Sequence, residues 1–156
     1  MGNRAVVERF TEALAANDFD AQDALLHDDY VGRYPQSGEI IRGRENRRKI
    51  MESYPGTERG ITASSDRIVG SDDEFVTGPS WNIIHLSGSG DDMSFTGRIT
   101  YPNGETWHTA LFLTMRDGKI WREVAYFGPA FDPPAWRASL VELEPPSKTP
   151  LGREGI

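Results

Sequence analysis

The sequence predicts an α+β fold, in which a curved antiparallel sheet wraps around helices from the N-terminal part of the chain. Three observations predict it: apolar residues at helical spacing in the first third, alternating strand-like runs afterwards, and turn dipeptides between the last of these runs. The 156 residues are the size of one domain with a single core. We therefore expect one domain over residues 1–144 and a loose tail, rich in proline and charge, over residues 145–156.

The first third of the chain predicts three helices. In the first helix, apolar residues recur at helical spacing: Val6, Val7, Phe10, Ala13 and Leu14. The run ANDFD ends this helix, and a short second helix follows over about Phe19–Leu26, with Asp18 or Asp20 as its cap. Gly43 opens a third helix over about Arg44–Ser53, which the run YPG stops.

The strand signals begin between the second and third helices and then dominate the chain. DDYVGRYP predicts a strand that ends at Pro35, and QSGEIIRG predicts a loop with room for a short strand. Five strand-like runs follow: GITASSDRIVG, EFVTGPSWNIIHLSG, DMSFTGRITYPNG, ETWHTALFLTMRDG and KIWREVAYFG. Asn103-Gly104 and Asp117-Gly118 are strong hairpin turns between the last three. Strands and helices do not alternate in this part, so the sheet is expected to be antiparallel.

Composition narrows the classes of function. The net charge of −7 argues against a phosphate-binding surface, and thus against nucleic acid as a partner. The basic run IRGRENRRK, residues 41–49, is interpreted as the solvated face of a helix. The absence of cysteine excludes disulfides, thiolate metal sites and cysteine nucleophiles. No signal peptide or membrane-spanning run is present, so we expect a cytoplasmic protein.

The histidines give no metal signal. His27, His85 and His108 fall on different predicted elements, and no two are spaced as ligands on one helix face. We therefore expect neither a metal nor another cofactor.

Two segments resemble a known family. YPQSGEIIRGRENRRKIMESYPG, residues 34–56, and DGKIWREVAYFGPAFDPPAWR, residues 117–137, resemble the SnoaL-like branch of the nuclear transport factor 2-like superfamily. The resemblance implies a cystatin-like cone with a hydrophobic pocket closed by the helices, and a homodimer formed through the outer sheet face. The superfamily hosts isomerases, polyketide cyclase-like enzymes, dehydratases, epoxide hydrolases and non-catalytic proteins, so it does not fix the chemistry.

A carboxylate among apolar residues on the last strand is the main candidate for chemistry. In this superfamily the last strand sends alternate side chains into the pocket. If Glu123 points inward, Trp121, Ala125 and Phe127 do so too, and FGPAFDPPAW folds across the pocket mouth. The alternative is that Glu123 pairs with a cation at a sheet surface.

Epoxide hydrolases of this fold supply a comparison. They carry an Arg-x-Asp motif on the strand that holds Arg98 here, and a second acid at a place similar to Glu123. Thr100 stands where their first aspartate would be, and Val31 and Arg33 replace their Tyr-x-Asn pair. This sequence therefore departs from the epoxide hydrolase pattern at three positions.

The hairpin turns decide whether Arg98 and Glu123 share a face. Two-residue turns at both hairpins would put them on opposite faces, and one added residue at a single hairpin would bring them together. An added residue at Asn103-Gly104 would bring His108 into the pocket. An added residue at Asp117-Gly118 would bring in Thr109 and Trp107 instead.

Three functions follow from these patterns. The first is a cofactor-free isomerase, cyclase or lyase that acts on a small apolar carbonyl compound, with Glu123 as general base and Arg98 as its electrostatic partner. The second is a non-catalytic ligand-binding or dimeric assembly domain, and the third an accessory domain that acts through its sheet face alone. The residues expected to contact a ligand are Tyr34, Trp81, Thr100, His108, Trp121, Phe127, Phe131 and Trp136.

Overall fold

The computed structural model describes residues 1–53, 80–101 and 104–143, and for residues 80–84 it describes the strand but not the side chains. The elements are α1 Asn3–Ala15, α2 Phe19–Leu25, β1 Leu26–Tyr34, β2 Glu39–Arg42, α3 Arg44–Glu52, β3 Ser80–Ser89, β4 Asp92–Thr100, β5 Thr106–Arg116, β6 Lys119–Pro129 and a 3-10 helix Ala135–Leu140. The first predicted strand run, residues 60–70, and the predicted tail lie outside the described residues.

The three helices form where the sequence predicts them. All five apolar residues predicted for the first helix are buried in α1. Asp18 caps α2, because its side chain accepts a hydrogen bond from the backbone N–H of Ala21 at 2.9 Å. Gly43 precedes α3 with a φ of 84°, a conformation that favours glycine, and its N–H donates to the carbonyl of Tyr30 at 2.8 Å. This bond ties the start of α3 to β1.

The six strands form one sheet in the order β2-β1-β6-β5-β4-β3. Every neighbouring pair is antiparallel except β1 and β6, which run parallel. The sheet is therefore mixed, and the expectation of a wholly antiparallel sheet was wrong for this one pair. The signal for antiparallel pairing is a short turn, and no short turn joins β1 to β6.

The sheet has an inner face, which the helices cover, and an outer face. Phe10 of α1 packs edge-on against Phe95 of β4, with ring centroids 6.5 Å apart, and so identifies the inner face. Paired residues share a face, so the strand registers place every other side chain. The inward apolar side chains of the strands that are at most 2% exposed are Leu26, Tyr30, Phe95, Ile99, Leu113, Ile120 and Ala125. The predicted α+β fold is confirmed.

The basic run is solvated with one exception. Three of its four cations in α3 form surface ion pairs: Arg44 with Asp28, Arg48 with Asp20, Asp23 and Glu52, and Lys49 with Glu45. Arg47 is only 4% exposed and lies on the inner side of the helix with Met51. The interpretation of this run was therefore wrong for Arg47.

Within the described part of the chain, no helix combines the length and the hydropathy that crossing a bilayer requires.

Candidate active site

The carboxylate of Glu123 points inward from β6. It is 3% exposed, and its neighbours across the sheet are Leu113 on β5 and Gly32 on β1. This acid therefore lies in the interior of the fold rather than at a sheet surface. An ionised carboxylate at such depth needs charge compensation and hydrogen bonds, because water no longer supplies them.

Two buried side chains supply that compensation. The Tyr30 hydroxyl donates a hydrogen bond to Glu123 Oε2 at 3.1 Å, and Arg47 Nε lies 3.8 Å from the same oxygen. The second distance is a charge–charge contact rather than a hydrogen bond. Tyr30 comes from β1 and Arg47 from α3, so the three groups converge from separate elements.

Burial and the neighbouring charges determine the protonation states of Tyr30 and Arg47, the two partners of Glu123. Burial raises the pKa of the Tyr30 phenol well above its usual value, and the nearby Glu123 charge adds to this. Burial by itself lowers the pKa of the Arg47 guanidinium, but the Glu123 charge and contacts with Tyr30 and Tyr34 raise it overall. At neutral pH, Tyr30 is therefore a proton donor in a hydrogen bond and Arg47 is a cation.

The guanidinium of Arg47 is held in place by the first two helices. Its Nη1 donates to Gln22 Oε1 at 3.0 Å, and Gln22 Nε2 donates to the carbonyl of Ala13 at 3.1 Å. The guanidinium carbon also lies 5.1 Å from the centre of the Phe10 ring, within the range of a cation–π contact. All three helices thus contribute to the position of this one cation.

Gly32 provides the space for the Tyr30 hydroxyl. A Cβ added at Gly32 would lie 2.7 Å from that oxygen, closer than real Cβ contacts come. We expect Gly32→Ala to destabilise the fold by about 1–3 kcal/mol, because the phenol must move away from Glu123. Thermal or denaturant unfolding measures the change in the free energy of unfolding.

Two variants control the Gly32 experiment. A Cβ added at Gly128 on β6 would have no atom within 4 Å, so Gly128→Ala should leave stability unchanged or slightly raised. In a Tyr30→Phe background the conflicting oxygen is absent, so Gly32→Ala should there cost much less. An equal cost in both backgrounds would contradict this account of Gly32.

The two oxygens of Glu123 differ in their partners. Tyr30 and Arg47 both contact Oε2, whereas no residue of the described ranges donates a hydrogen bond to Oε1. The carboxylate is therefore fixed through one oxygen, and the other retains its capacity to accept a proton or a hydrogen bond.

Aromatic rings line the inner face between Glu123 and one end of the sheet. Tyr34 and Phe127 pack edge-on with centroids 4.9 Å apart, and Tyr101 and Trp107 do so at 6.0 Å. These four partly buried rings, which we call the aromatic rim, pack against the core at the ends of β1, β4 and β6 and the start of β5. The predicted ligand contacts Tyr34 and Phe127 are thus brought together.

Arg98 does not share this site, and its predicted pairing with Glu123 was wrong. Arg98 on β4 lies opposite His108 on β5 in the strand register. The inward residues of both strands are odd-numbered, so Arg98 and His108 face outward. Thr100 and His108 consequently lie on the outer face as well, so their predicted ligand contacts are also corrected. Thr109 takes the buried position instead of His108.

Two shifts of one residue explain this outcome. A two-residue turn at Asn103-Gly104 would pair Arg98 with Thr109 across the first hairpin. The observed register pairs Thr100 with Thr106, and therefore Arg98 with His108, one residue away. The Asp117-Gly118 turn has two residues, but a bulge then shifts the register between Thr114 and Met115. Because both hairpins are displaced, the two shifts cancel, and Arg98 and Glu123 remain on opposite faces.

The bulge also removes Trp121 from the inner face. Ile120 takes the inward position, and the Trp121 ring instead lies under two guanidinium groups, those of Arg116 at 4.4 Å and Arg122 at 4.0 Å. Phe131 and Trp136 are 79% and 76% exposed, so they do not fold across a mouth as predicted. The side chain of Trp81 lies outside the described residues.

Sequence reasoning missed Tyr30, Arg47 and Gln22 as members of this cluster. A signal for Arg47 existed: it lies four residues before Met51, so both occupy one face of an otherwise charged helix. Tyr30 occupies a regular inward position of β1. Gln22 gives no signal, because a polar residue in a short helix is usually solvated.

No metal centre is formed within the described ranges, because no three of their His, Asp or Glu side chains are grouped as metal ligands.

Comparisons with known proteins agree with this architecture. A family model described as a SnoaL-like domain matches residues 7–123. A protein of unknown function from Burkholderia xenovorans, described as NTF2-like, is 28% identical, with a TM-score of 0.70, and the match covers 92% of this chain and 95% of that chain. No curated protein matches the chain.

Two further solved structures show the fold alone, since their identity is lower. One, from Kribbella flavida, is provisionally described as a ketosteroid isomerase; it is 23% identical, with a TM-score of 0.71, over 96% of this chain and 95% of that chain. The other is an epoxide hydrolase from M. tuberculosis, 20% identical, with a TM-score of 0.54, over 81% of this chain and 82% of that chain. The α+β architecture is thereby shared with proteins that are described as different kinds of enzyme.

Proposed function

Because the chain belongs to the SnoaL-like domain family, we propose that it is a cofactor-free enzyme that removes a proton next to the carbonyl group of a flat, apolar ketone. One observation carries this proposal: the buried Glu123 carboxylate is held through Oε2 and has no described donor at Oε1. A positioned carboxylate of this kind is suited to act as a general base. An isomerase, a cyclase or a lyase begins with this step.

The proton transfer assigns a role to each neighbour. Glu123 Oε1 takes the proton, and the electron pair of the broken C–H bond moves onto the carbonyl oxygen as an enolate. Arg47, rather than Arg98, is the electrostatic partner of Glu123, because its fixed positive charge offsets the negative charge of the site. The Tyr34 phenol lies close enough to Arg47 to raise its pKa, and is proposed as the hydrogen-bond donor to the enolate oxygen.

The fate of the enolate distinguishes the three reactions. Return of the proton from Glu123 to a different carbon completes an isomerisation. Attack of the enolate carbon on a second carbonyl closes a ring, and expulsion of a neighbouring leaving group completes a lyase reaction. The geometry of Glu123 serves the first step of all three equally.

The aromatic rim supports a flat apolar substrate. Phe127 lies four residues beyond Glu123 on β6, a distance of roughly 13 Å along an extended strand, with the small Ala125 between them. Edge-on ring pairs at the end of such a path favour stacking and apolar contact. We propose that a ligand of several fused rings lies along this path, with its carbonyl end at Glu123.

Hydrogen–deuterium exchange tests the proposal without knowledge of the product. A panel of fused-ring ketones in D₂O should gain deuterium next to the carbonyl when the wild-type protein is added, as followed by NMR. Native mass spectrometry of the purified protein selects the panel, by identifying any small molecule that co-purifies. Absence of exchange for a ligand that demonstrably binds would overturn the general-base role.

A non-catalytic ligand-binding domain is the second proposal. It is supported by the mutual neutralisation of Glu123 and Arg47, since a buried ion pair can also be purely structural. It predicts that a co-purifying molecule binds equally to the wild type and to Glu123→Gln, and that neither protein changes it. Epoxide hydrolysis is disfavoured, because the inward residues of β4 are apolar or glycine: Met93, Phe95, Gly97 and Ile99.

The homodimer through the outer sheet face also stays a proposal. Phe112 and Tyr126 support it, because they form an edge-on pair on that face and are 52% and 43% exposed. Exposed aromatic pairs of this kind favour a partner surface.

A further inference from the structure

The segment after β6 exposes an unusual amount of apolar surface. We call residues 130–143 the C-terminal arm. Its large apolar side chains are mostly in water: Phe131, Trp136, Leu140, Val141 and Leu143. Its start is fixed to the sheet, since the N–H of Ala130 donates to the carbonyl of Thr106 at 2.9 Å, but no buried residue lies in its 3-10 helix. Apolar side chains concentrated in this way mark an interaction surface.

The outer face of the sheet offers a matching surface. Two neighbouring rows of side chains, which run across β1, β6, β5 and β4, enclose a shallow groove of about 350 Å³. Phe112 and Val124 form its apolar part, with Arg33 and Arg122 at one side and Asp92 at the other. The groove is therefore apolar in the middle and cationic along one side.

The two arginines of the groove lack acidic partners. Within the described part of the chain, neither Arg33 nor Arg122 forms a salt bridge, although Arg122 stacks on the Trp121 ring. The arm carries two carboxylates, Asp132 beside Phe131 and Glu142 beside Leu143, each directly next to an exposed apolar side chain. The one cation of the arm, Arg137, lies over the Trp136 ring, and the arm as a whole keeps a net negative charge. Its two carboxylates complement the arginines of the groove, and its apolar side chains complement the apolar middle of the groove.

We propose that the C-terminal arm of one chain lies in the outer-face groove of a second copy of this chain. Phe131 packs against Phe112 of that copy, and Asp132 pairs with its Arg122. A two-fold axis makes the exchange reciprocal, so that both arms and both grooves are covered in a closed dimer. This inference rests on the proposed homodimer and adds the segment that forms it, but it does not depend on the chemistry at Glu123.

The absence of cysteine gives a direct test. Ala135→Cys on the arm and Thr114→Cys in the groove place single thiols in separate chains without removing an anchor residue. A mixture of the two chains, treated with a short bismaleimide, should give a covalent dimer on a denaturing gel. A mixture of Ala135→Cys with Glu8→Cys, on exposed α1 surface, should give none.

A chain with both Ala135→Cys and Thr114→Cys, at low concentration, tests whether the arm binds its own groove. A cross-link within one chain, or no cross-linked dimer in the mixture, would overturn the proposal. Binding of the wild type to phosphatidylcholine vesicles that Trp136→Ser abolishes, without cross-linking, would assign the arm to a membrane instead and would equally overturn it.

Charge reversal tests the ion pair itself. Arg122→Glu alone and Asp132→Arg alone should each weaken self-association at least about tenfold, as measured by sedimentation. A mixture of the two variants restores both contacts of the dimer, so a heterodimer with near wild-type affinity is expected. Failure of the mixture to associate would refute the pairing, and unchanged ketone exchange in the same variants would show that the proposed function stands separately.

Discussion

Glu123→Gln is expected to lower the rate of proton–deuterium exchange in a bound ketone by roughly 10²–10⁴-fold, the usual contribution of a general base. The amide keeps the size of the side chain, and its carbonyl oxygen can still accept the Tyr30 hydrogen bond. What it loses is the capacity to take a proton at Oε1. Exchange rates in D₂O, normalised to the folded fraction, measure the effect.

Two further variants separate chemistry from folding in that experiment. Glu8→Gln removes a half-exposed carboxylate from α1 and should leave the exchange rate unchanged. Tyr34→Phe removes the proposed donor to the enolate and should lower the rate by a smaller factor. A Glu123→Gln protein that is folded, binds the ketone and exchanges it at the wild-type rate would exclude Glu123 as the base.

Arg47→Met is expected to cost about 3–5 kcal/mol of unfolding free energy, because it leaves the Glu123 carboxylate buried without its counter-charge. It also removes the guanidinium that donates to Gln22 Oε1, and so leaves this buried oxygen without that hydrogen bond. The measurement is denaturant unfolding at neutral pH, with circular dichroism to confirm that the variant folds.

The neighbouring arginine provides the matched control. Arg48 lies on the same helix and has more ion pairs than Arg47, but those pairs are on the surface, where water screens them, so Arg48→Met should cost much less. Combining Arg47→Met with Glu123→Leu removes both charges and should recover most of the loss. Equal costs for Arg47→Met and Arg48→Met would show that the buried pair contributes nothing special to stability.

Much of the fold could be predicted because its signals are local. The spacing of Val6, Phe10 and Leu14 predicts a helix face, and all three residues are buried. Asp18, one of the two caps predicted for the second helix, does cap it, and Asp117-Gly118 forms a hairpin turn as predicted, with positive φ at both residues. Each of these features depends on neighbours in the sequence.

The candidate site could be predicted only in part. Glu123 stood out as a carboxylate within an apolar run, and Tyr34 and Phe127 lie together on the same inner face. Arg98 is predicted as the partner cation from its match to the arginine of the epoxide hydrolase motif. Whether Arg98 and Glu123 share a face, however, depends on every turn and bulge of the meander between them. A single residue added at either hairpin reverses that assignment.

By itself, the sequence determined the three helices and the strands that the structure describes, and it singled out Glu123 as an acid among apolar residues, because hydrophobic period, caps and turn dipeptides act over a few residues. Only the tertiary structure decided that β1 lies parallel to β6, that two register shifts cancel, and that the buried charge of Glu123 is met by Arg47 from α3. These outcomes depend on contacts between segments far apart in the chain, and the burial that makes an arginine a core residue exists only once those segments have packed together.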